Sequence, residues 1–458
     1  MSHSSSVKPS PVNLLEDPIG PTLKRMTVPM IYGMILLMTF GLVDTFFVSL
    51  LGTDELAAIS FTFPVTFTVI SLNIGLGIGT SAVIGRYLGR GEQHLAHEFG
   101  TGALMLAFLL VGGLCLIGWL TIDPIFLALG ATAQEMPHIR DYMGTWYLAG
   151  IMLAMPMVGN SVLRGAGDTK TPSKIMAAGG LINALLDPLL IFGWGPVPAM
   201  GIQGAALATL IAWIVGVITI IYLLAFRRKL ILARLLTWPE FRTSSRAILH
   251  IGLPAAGANM LTPLAGGVLT AIVAGFGTEA VAAWGVGNRL ESLASIIVLA
   301  LSMSLPPFIS QNFGAGKLHR VAEAYRLAIR FVLVWQLVMF AVLWIASGLL
   351  AGLFAKEAQV AELIGLFLSV VPLGYGLQGV IILSNSSFNA MHKPMSALGL
   401  STARLFIFFV PLSYIGSLLF GLHGMFWAGI VANLLTAGLA YTWFNRVIKA
   451  ELNAGVTA

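Results

Sequence analysis

Of 458 residues, 57% are hydrophobic and only 10% charged, with a formal net charge of +6. Soluble domains carry roughly 25% charged residues, so a chain this apolar cannot clothe a water-facing surface, and its solvent is lipid. Crossing the bilayer takes about 20 helical residues, and the apolar runs lack the alternation of membrane strands, which leaves an all-α polytopic membrane protein.

Residues 1–20 are polar and rich in Ser and Pro, with no cleavable apolar segment before the first long run. They read as a disordered cytoplasmic tail. Twelve transmembrane helices are expected, over 27–51, 57–83, 98–121, 138–162, 174–194, 202–226, 248–276, 281–309, 323–347, 363–388, 396–418 and 424–445. They divide the chain into an N-terminal six-helix lobe (21–226), a basic cytoplasmic linker (227–247), a C-terminal six-helix lobe (248–446) and a cytoplasmic C-terminal tail (447–458).

The basic residues orient these spans. With the N-terminus inside, 21 of the 25 Lys and Arg fall on the cytoplasmic side, including Arg86, Arg90, Arg164, Lys170 and the run Arg227–Arg228–Lys229. Arg140 and Lys356 fall outside, and Arg289 and Arg404 within spans. Positive charge retained inside loop after loop is a topology signal, so the basic excess gives no reason to propose nucleic acid. A multi-pass protein of a bacterial inner membrane, both termini cytoplasmic and monomeric, is the expectation. The lone Cys115 permits no intrachain disulfide.

A repeat runs through the chain at an offset of 225 residues. Gly52-Thr53-Asp54 returns as Gly277-Thr278-Glu279, Gly89-Arg90-Gly91 as Gly314-Ala315-Gly316, and Asn160-Ser161 as Asn385-Ser386. Beyond the fifth span the offset is 220, matching Gly201-Ile-Gln-Gly204 to Gly421-Leu-His-Gly424. Six spans per half is an even number, so the lobes share one orientation and are pseudo-symmetric about the membrane normal. Parallel repeats of this kind are a transporter architecture, with the cargo path between the halves.

Two carboxylates lie within spans, Asp44 in the first helix and Asp187 in the fifth, with Glu291 near the start of the eighth as a weaker third. A charge at mid-bilayer costs about 2.5–3.5 kcal/mol on insertion scales, and sequences seldom keep one there without use. At 1.5 Å per residue, Asp44, Asp187 and Thr209 share a level about 10 Å below the outer surface. Tyr142 is close to the outer end of its helix, and Asn183 lies one turn from Asp187 on the same face. These five residues form one candidate site. Two carboxylates close together in low dielectric cannot both stay ionised comfortably. Such a site takes up a proton, or it holds Na⁺ among the oxygens of Asp44, Asn183, Asp187 and Thr209. The plainer alternative is a hydrogen-bonded network that only ties helices together. The positions equivalent to Asp44 and Asp187 in the second half are Leu269 and Leu412.

Pro29 frees a backbone carbonyl in helix 1 and allows a bend there. Met34 and Met38 continue a stripe begun at Met30; flexible thioethers suit varied ligands as well as ordinary packing. With Asn160, Asn259, Arg289 and Gln378 they are the candidate lining of a substrate cavity. Arg289 and Glu291 equally satisfy one another in a second reading.

Gly41-Leu-Val-Asp44-Thr45, the loop Leu163-Arg-Gly-Ala-Gly-Asp-Thr-Lys-Thr-Pro172 and Asn183-x-x-x-Asp187-Pro188 together resemble the multidrug and toxic compound extrusion (MATE) family. The likeness covers essentially all twelve spans and is greatest to the DinF branch. That branch implies a cation site at Asp44, Asn183 and Asp187, completed by Tyr142 and Thr209, and a helix-1 bend at Pro29. The NorM branch carries a Glu in helix 7 and an Asp in helix 10; here Asn259-Met-Leu-Thr-Pro263 stands in the first place, and residues 374–389 hold no acid. The resemblance implies a MATE/MOP-type fold and antiport, in which an amphipathic, often cationic drug leaves as H⁺ or Na⁺ enters. No cofactor beyond the coupling ion is implied.

Other classes fit less well. Gly165-Ala-Gly-Asp168 matches the GxGD of intramembrane aspartyl hydrolases, but the chain has no Tyr-Asp pair to supply the second acid. Asp168 reads as a turn residue in a Lys-flanked loop. No Walker A sequence is present. A lipid-linked precursor flippase of the same superfamily is the nearer rival; it wants a cation-rich cavity, for which Arg289 and Arg404 are thin support. The expected protein is not an enzyme. Its partners are organic cations or drugs and the bilayer.

Overall fold

The computed structural model describes residues 13–456. In the first lobe the spans are α1 (Ile19–Ser49), α2 (Thr53–Gly89), α3 (Gln93–Leu120), α5 (Met136–Gly165), α6 (Lys170–Phe192) and α7 (Gly201–Tyr222), with a short helix α4 (Ile122–Ala128) before α5. The second lobe opens with α8 (Trp238–Ala274), and its eighth span is made of α9 (Thr278–Ala294) and α10 (Ile296–Gly314). After α11 (Leu318–Phe354), the tenth span is α12 (Ala358–Val370) and α13 (Tyr375–Ala390), joined by a 3₁₀ turn at Val371–Gly374. Finally α14 (Pro394–Thr402) passes through a π-bulge at Ala403–Phe409 into α15 (Val410–Val456).

Eleven stretches are long and apolar enough to cross a membrane, the last being Pro394–Asn453 with 60 residues. The backbone leaves helical geometry inside that stretch at Phe420 and Gly421, so it is two spans and the total is twelve.

The glycines show that the repeat is structural. Gly52 and Gly277 have φ of 150° and 110°, Gly91 and Gly316 of 79° and 72°, and Gly201 and Gly421 of 54° and 62°. Side chains other than hydrogen rarely tolerate these angles, so the same three turns recur in each lobe for the same steric reason. Gly167 (φ 86°) has as its mate, 225 residues on, His392, which holds φ 58° despite its side chain.

Most of the tail expected over 1–20 lies outside the described residues, but residues 13–18 are ordered, contrary to that expectation. Leu14 is buried. The Leu14 carbonyl accepts from Asn312 Nδ2 at 3.0 Å and from Arg320 Nη2 at 3.2 Å, and the Asp17 carbonyl accepts from Arg320 at 2.7 Å. Two lobe boundaries also move. The seventh span starts at Trp238 within the expected linker, because Thr237 and Glu240 form a capping box there. The expected C-terminal tail is helical to Val456.

The lobes meet at the end of the molecule that carries the basic loops. Gln311 Nε2 donates to the Gly165 carbonyl at 2.8 Å, Thr27 and Ser304 share a 2.6 Å hydroxyl contact, and α2 packs closely on α8 and α10. In the same region Arg228 pairs with Asp168 at 2.5 Å, and Asp168 accepts from Thr171 Oγ1 at 2.6 Å, as a turn residue would.

His392, in the loop after the tenth span, donates from Nε2 to the Ala82 carbonyl of the other lobe at 3.1 Å. Burial first, then the neighbouring Arg86, pushes its imidazole down to about 4. A depressed histidine stabilises the fold fully above its unfolded value of about 6.5, and the contribution is lost as pH falls toward 4. Wild-type melting temperature is therefore expected to fall across that window by more than that of His392→Gly, whose left-handed backbone is also relaxed; equal slopes in a thermal-shift series would contradict this.

Candidate functional site

Asp44 and Asp187 each stand five residues before the end of their helix, α1 and α6 respectively. Helices α1 and α6 pack side by side. Two side chains of α6 clamp α1 at its proline: Ser173 Oγ donates to the Pro29 carbonyl, and Thr169 Oγ1 to the Met26 carbonyl at 2.8 Å. α1 is a single helix through Pro29.

This packing brings the Asp44 and Asp187 carboxyl groups within hydrogen-bonding reach of one another. Asp187 is fully buried, and neither of its oxygens has a donor among the described residues. Two carboxylates are both acceptors. A proton on one of them would turn the contact into a hydrogen bond, and a cation between them would offset both charges.

The remaining three residues are on α5, α6 and α7. Asn183 Nδ2 donates to Thr209 Oγ1 at 3.2 Å, and Thr209 in turn donates to the Ala205 carbonyl at 3.1 Å. Tyr142 lies close enough to feel the charge of both carboxyls. The five residues read from the sequence thus gather in one lobe. Their oxygens fit a proton, and a hard monovalent cation such as Na⁺ equally well.

The corresponding region of the second lobe is closed and apolar. Leu269 packs with Val273, Ala280 and Met425. Beside it Trp284, Phe367 and Phe426 form an aromatic cluster with ring centroids 5.5–6.2 Å apart.

The candidate cavity residues lie on five helices, α1, α5, α8, α9 and α13. Met34 and Met38 are half-buried on α1, and Met30 of the same stripe is fully buried. Asn160 is buried with its Oδ1 unpartnered among the described residues. Asn259 Nδ2 turns back to its own helix at the Ala255 carbonyl, 3.1 Å away. Arg289 is exposed. The reading in which it satisfies Glu291 is not what the structure shows: residues two apart point to different faces of a helix, and Glu291 Oε1 instead accepts from Gln378 Nε2 at 3.1 Å. Arg404 and Tyr375 also lie close enough to feel the charge of Glu291. Sequence reading missed Tyr375 and noted Arg404 as a charge within a span and as thin support for a cation-rich cavity; its position in a span was the available signal.

Comparison with known proteins follows the same lines. The MatE family model matches residues 29–189 and again 254–415; the two matches begin 225 residues apart, the offset of the internal repeat. A FAD transporter of Shewanella oneidensis is 42% identical over 95% of this chain and 96% of its own. The multidrug export protein MepA of Staphylococcus aureus is 24% identical over 92% of each. Among solved structures, the Vibrio cholerae MATE transporter VcmN in its bent form superposes with a TM-score of 0.90 at 34% identity, covering 94% of this chain and 98% of that one. An outward-facing multidrug resistance MATE transporter superposes at 0.89, with 25% identity and 96% and 98% coverage. A family model matched by both halves at the repeat's own spacing, and relatives aligned nearly end to end, make the chain a member of the MATE family of transporters.

Proposed function

We propose that this protein exports small molecules by cation-coupled antiport, with the coupling site at Asp44 and Asp187 in the first lobe. The observation that carries the reading is the carboxyl pair: two acceptors face each other at membrane depth, one fully buried with no donor among the described residues. Taking up a proton supplies the missing hydrogen bond, and releasing it recreates the frustration. A site with two such states can bias a conformational equilibrium. Asp44 is on α1, which also carries Pro29, so protonation acts on a helix able to bend. Asn183, Thr209 and Tyr142 make up the polar surroundings of the pair, and with Na⁺ in place of H⁺ the first two would become ligands.

Lobes held together at the basic-loop end alternate with a state open at that end. By the distribution of Lys and Arg, that end faces the cytoplasm of a bacterial cell, and the present state is the outward-facing one. Cargo then enters from inside and leaves when protons bind from outside.

For the cargo, the relatedness to MepA, a multidrug export protein, supports drugs, and the resemblance drawn from the sequence makes them amphipathic and often cationic. A second reading has its own support: the relative at 42% identity is named for FAD transport, so a phosphate-bearing cargo is the alternative.

Expression in a strain lacking its own efflux pumps tests the reading. Ethidium accumulation is expected to fall several-fold, to return to the control level with a protonophore, and to be unaffected by expression of Asp44→Asn. Export that persists in Asp44→Asn would remove the pair from the mechanism.

A further inference from the structure

The second lobe holds a polar cluster of its own, and three helix discontinuities meet on it. The eighth span is interrupted at Ser295, one turn past Glu291. The tenth is broken by the 3₁₀ turn at Val371–Gly374, and Tyr375 and Gln378 stand on the first turn after it. The eleventh is underwound into the π-bulge at Ala403–Phe409, whose second residue is Arg404. Their repeat mates α2, α5 and α6 are each one helix. The breaks are therefore a property of this lobe and not a requirement of the duplicated fold. π-Bulges and mid-helix 3₁₀ turns collect where helices carry function, and at membrane depth irregular backbone is tolerated only inside protein or against a cavity.

The side chains at these breaks are unevenly satisfied. Glu291 lies about 20 Å along its span from Thr278, near mid-membrane, and accepts from Gln378 at 3.1 Å. Arg404 has its guanidinium over the Phe409 ring, 5.9 Å from the centroid. Its Nε is buried without an acceptor. Tyr375 is 3% exposed, and its hydroxyl is also without a partner. Two charges that only neutralised each other would pair directly, yet among the described residues Arg404 makes no ion pair with Glu291. What the cluster leaves over is donors, one of them on a fixed positive charge. Leaving such donors dry is costly, and a guanidinium is the group best suited to oxyanions.

We propose that Tyr375, Gln378 and Arg404, arranged around Glu291, form a second ligand site that takes an anionic oxygen-bearing group, phosphate or carboxylate, of a transported molecule. Arg404 and Tyr375 donate to the anion. Glu291 holds Gln378 and supplies the counter-charge that makes Arg404 tolerable when the site is empty. The proposal rests on the export reading above and adds a cargo class to it: molecules with a negatively charged end, held in the lobe opposite the carboxyl pair.

Binding to the purified full-length protein tests it, with FAD as phosphate probe, fluorescein as carboxylate probe and riboflavin as the flavin without phosphate. Wild type is expected to bind FAD, fluorescein or both at least about tenfold more tightly than riboflavin, and which of the two it prefers identifies the anion. Arg404→Gln is expected to collapse the anion-to-riboflavin ratio by roughly ten- to a hundredfold, with Arg404→Lys recovering part of it. Tyr375→Phe, which removes only an unpartnered hydroxyl and should not perturb folding, is expected to lower the ratio several-fold. A wild type that binds riboflavin as well as both anions, or ratios unchanged in Arg404→Gln and Tyr375→Phe, would overturn the site. Proton-driven ethidium export by wild type is read separately, so loss of the coupling reading and loss of this one give different results.

Discussion

Asp187→Asn is expected to make the protein more stable and to stop it transporting. In most proteins, replacing a fully buried acid at a helix–helix contact weakens the fold, because the acid is hydrogen-bonded. Here both Asp187 oxygens lack a donor among the described residues and face the Asp44 carboxyl. An amide in the same place donates to Asp44 and removes one of two like charges. Relieving a buried unsatisfied polar group is worth about 1–3 kcal/mol, or a melting temperature higher by roughly 2–5 °C. Asp187→Leu, which copies Leu412 of the second lobe, should share the gain, since a buried charged pair is often no better than a well-packed apolar side chain. Proton-driven efflux, by contrast, should drop at least about a hundredfold in both, because on the proposed mechanism the carboxyl pair no longer switches between a frustrated and a satisfied arrangement. Opposite signs in stability and activity mark residues kept for function at a cost in stability. A fall of several degrees together with retained efflux would show a structural network instead.

The second large effect is expected where the lobes touch. A Cβ at Gly75 would stand 2.6 Å from Ala256 Cβ and 2.7 Å from its backbone nitrogen, and one at Gly79 would stand 3.1 Å from the Gly252 nitrogen. What a side chain would meet is mostly backbone, which cannot rotate away. Gly75→Val should therefore wedge α2 from α8. Overpacking costs about 1–3 kcal/mol, enough to shift an equilibrium between open and closed arrangements roughly five- to 150-fold against the present one. The expected result is intact protein with efflux reduced more than about tenfold. Maleimide labelling of Ala82→Cys, in a Cys115→Ala background, should become faster because the basic-loop end spends more time open. Unaltered labelling and efflux would mean that the lobes do not need this contact.

The N-lobe site was legible because its information is local or periodic. Asn183 and Asp187 share a helix face by spacing alone, and equal depth could be counted from the ends of the helices carrying Asp44, Asp187 and Thr209. The repeat was legible because positive-φ turns admit few residues, so Gly52, Gly91 and Gly201 had to reappear as Gly277, Gly316 and Gly421. The second cluster was not legible. Nothing in Ala294-Ser295-Ile296 or Ala403–Phe409 marks a break, since neither carries glycine or proline; these interruptions arise from packing. Of the three, only the 3₁₀ turn carried a local signal, in Pro372 and Gly374. Nor could spacing say that Gln378, and not Arg289, would reach Glu291, because that choice depends on how two helices are rotated against each other. The ordered segment at residues 13–18 was hidden for a related reason: Leu14 is buried by contacts roughly 300 residues away in sequence.

Efflux of ethidium from proteoliposomes under an imposed pH gradient, and separately under a Na⁺ gradient, tests the coupling claim most directly when wild type is compared with Asp44→Asn. Efflux driven by the pH gradient in wild type and absent from Asp44→Asn is the predicted result, and efflux driven by Na⁺ alone would assign the same oxygens to a metal ion. Gradient-driven efflux of equal rate in Asp44→Asn would contradict the account and put the coupling elsewhere in the molecule.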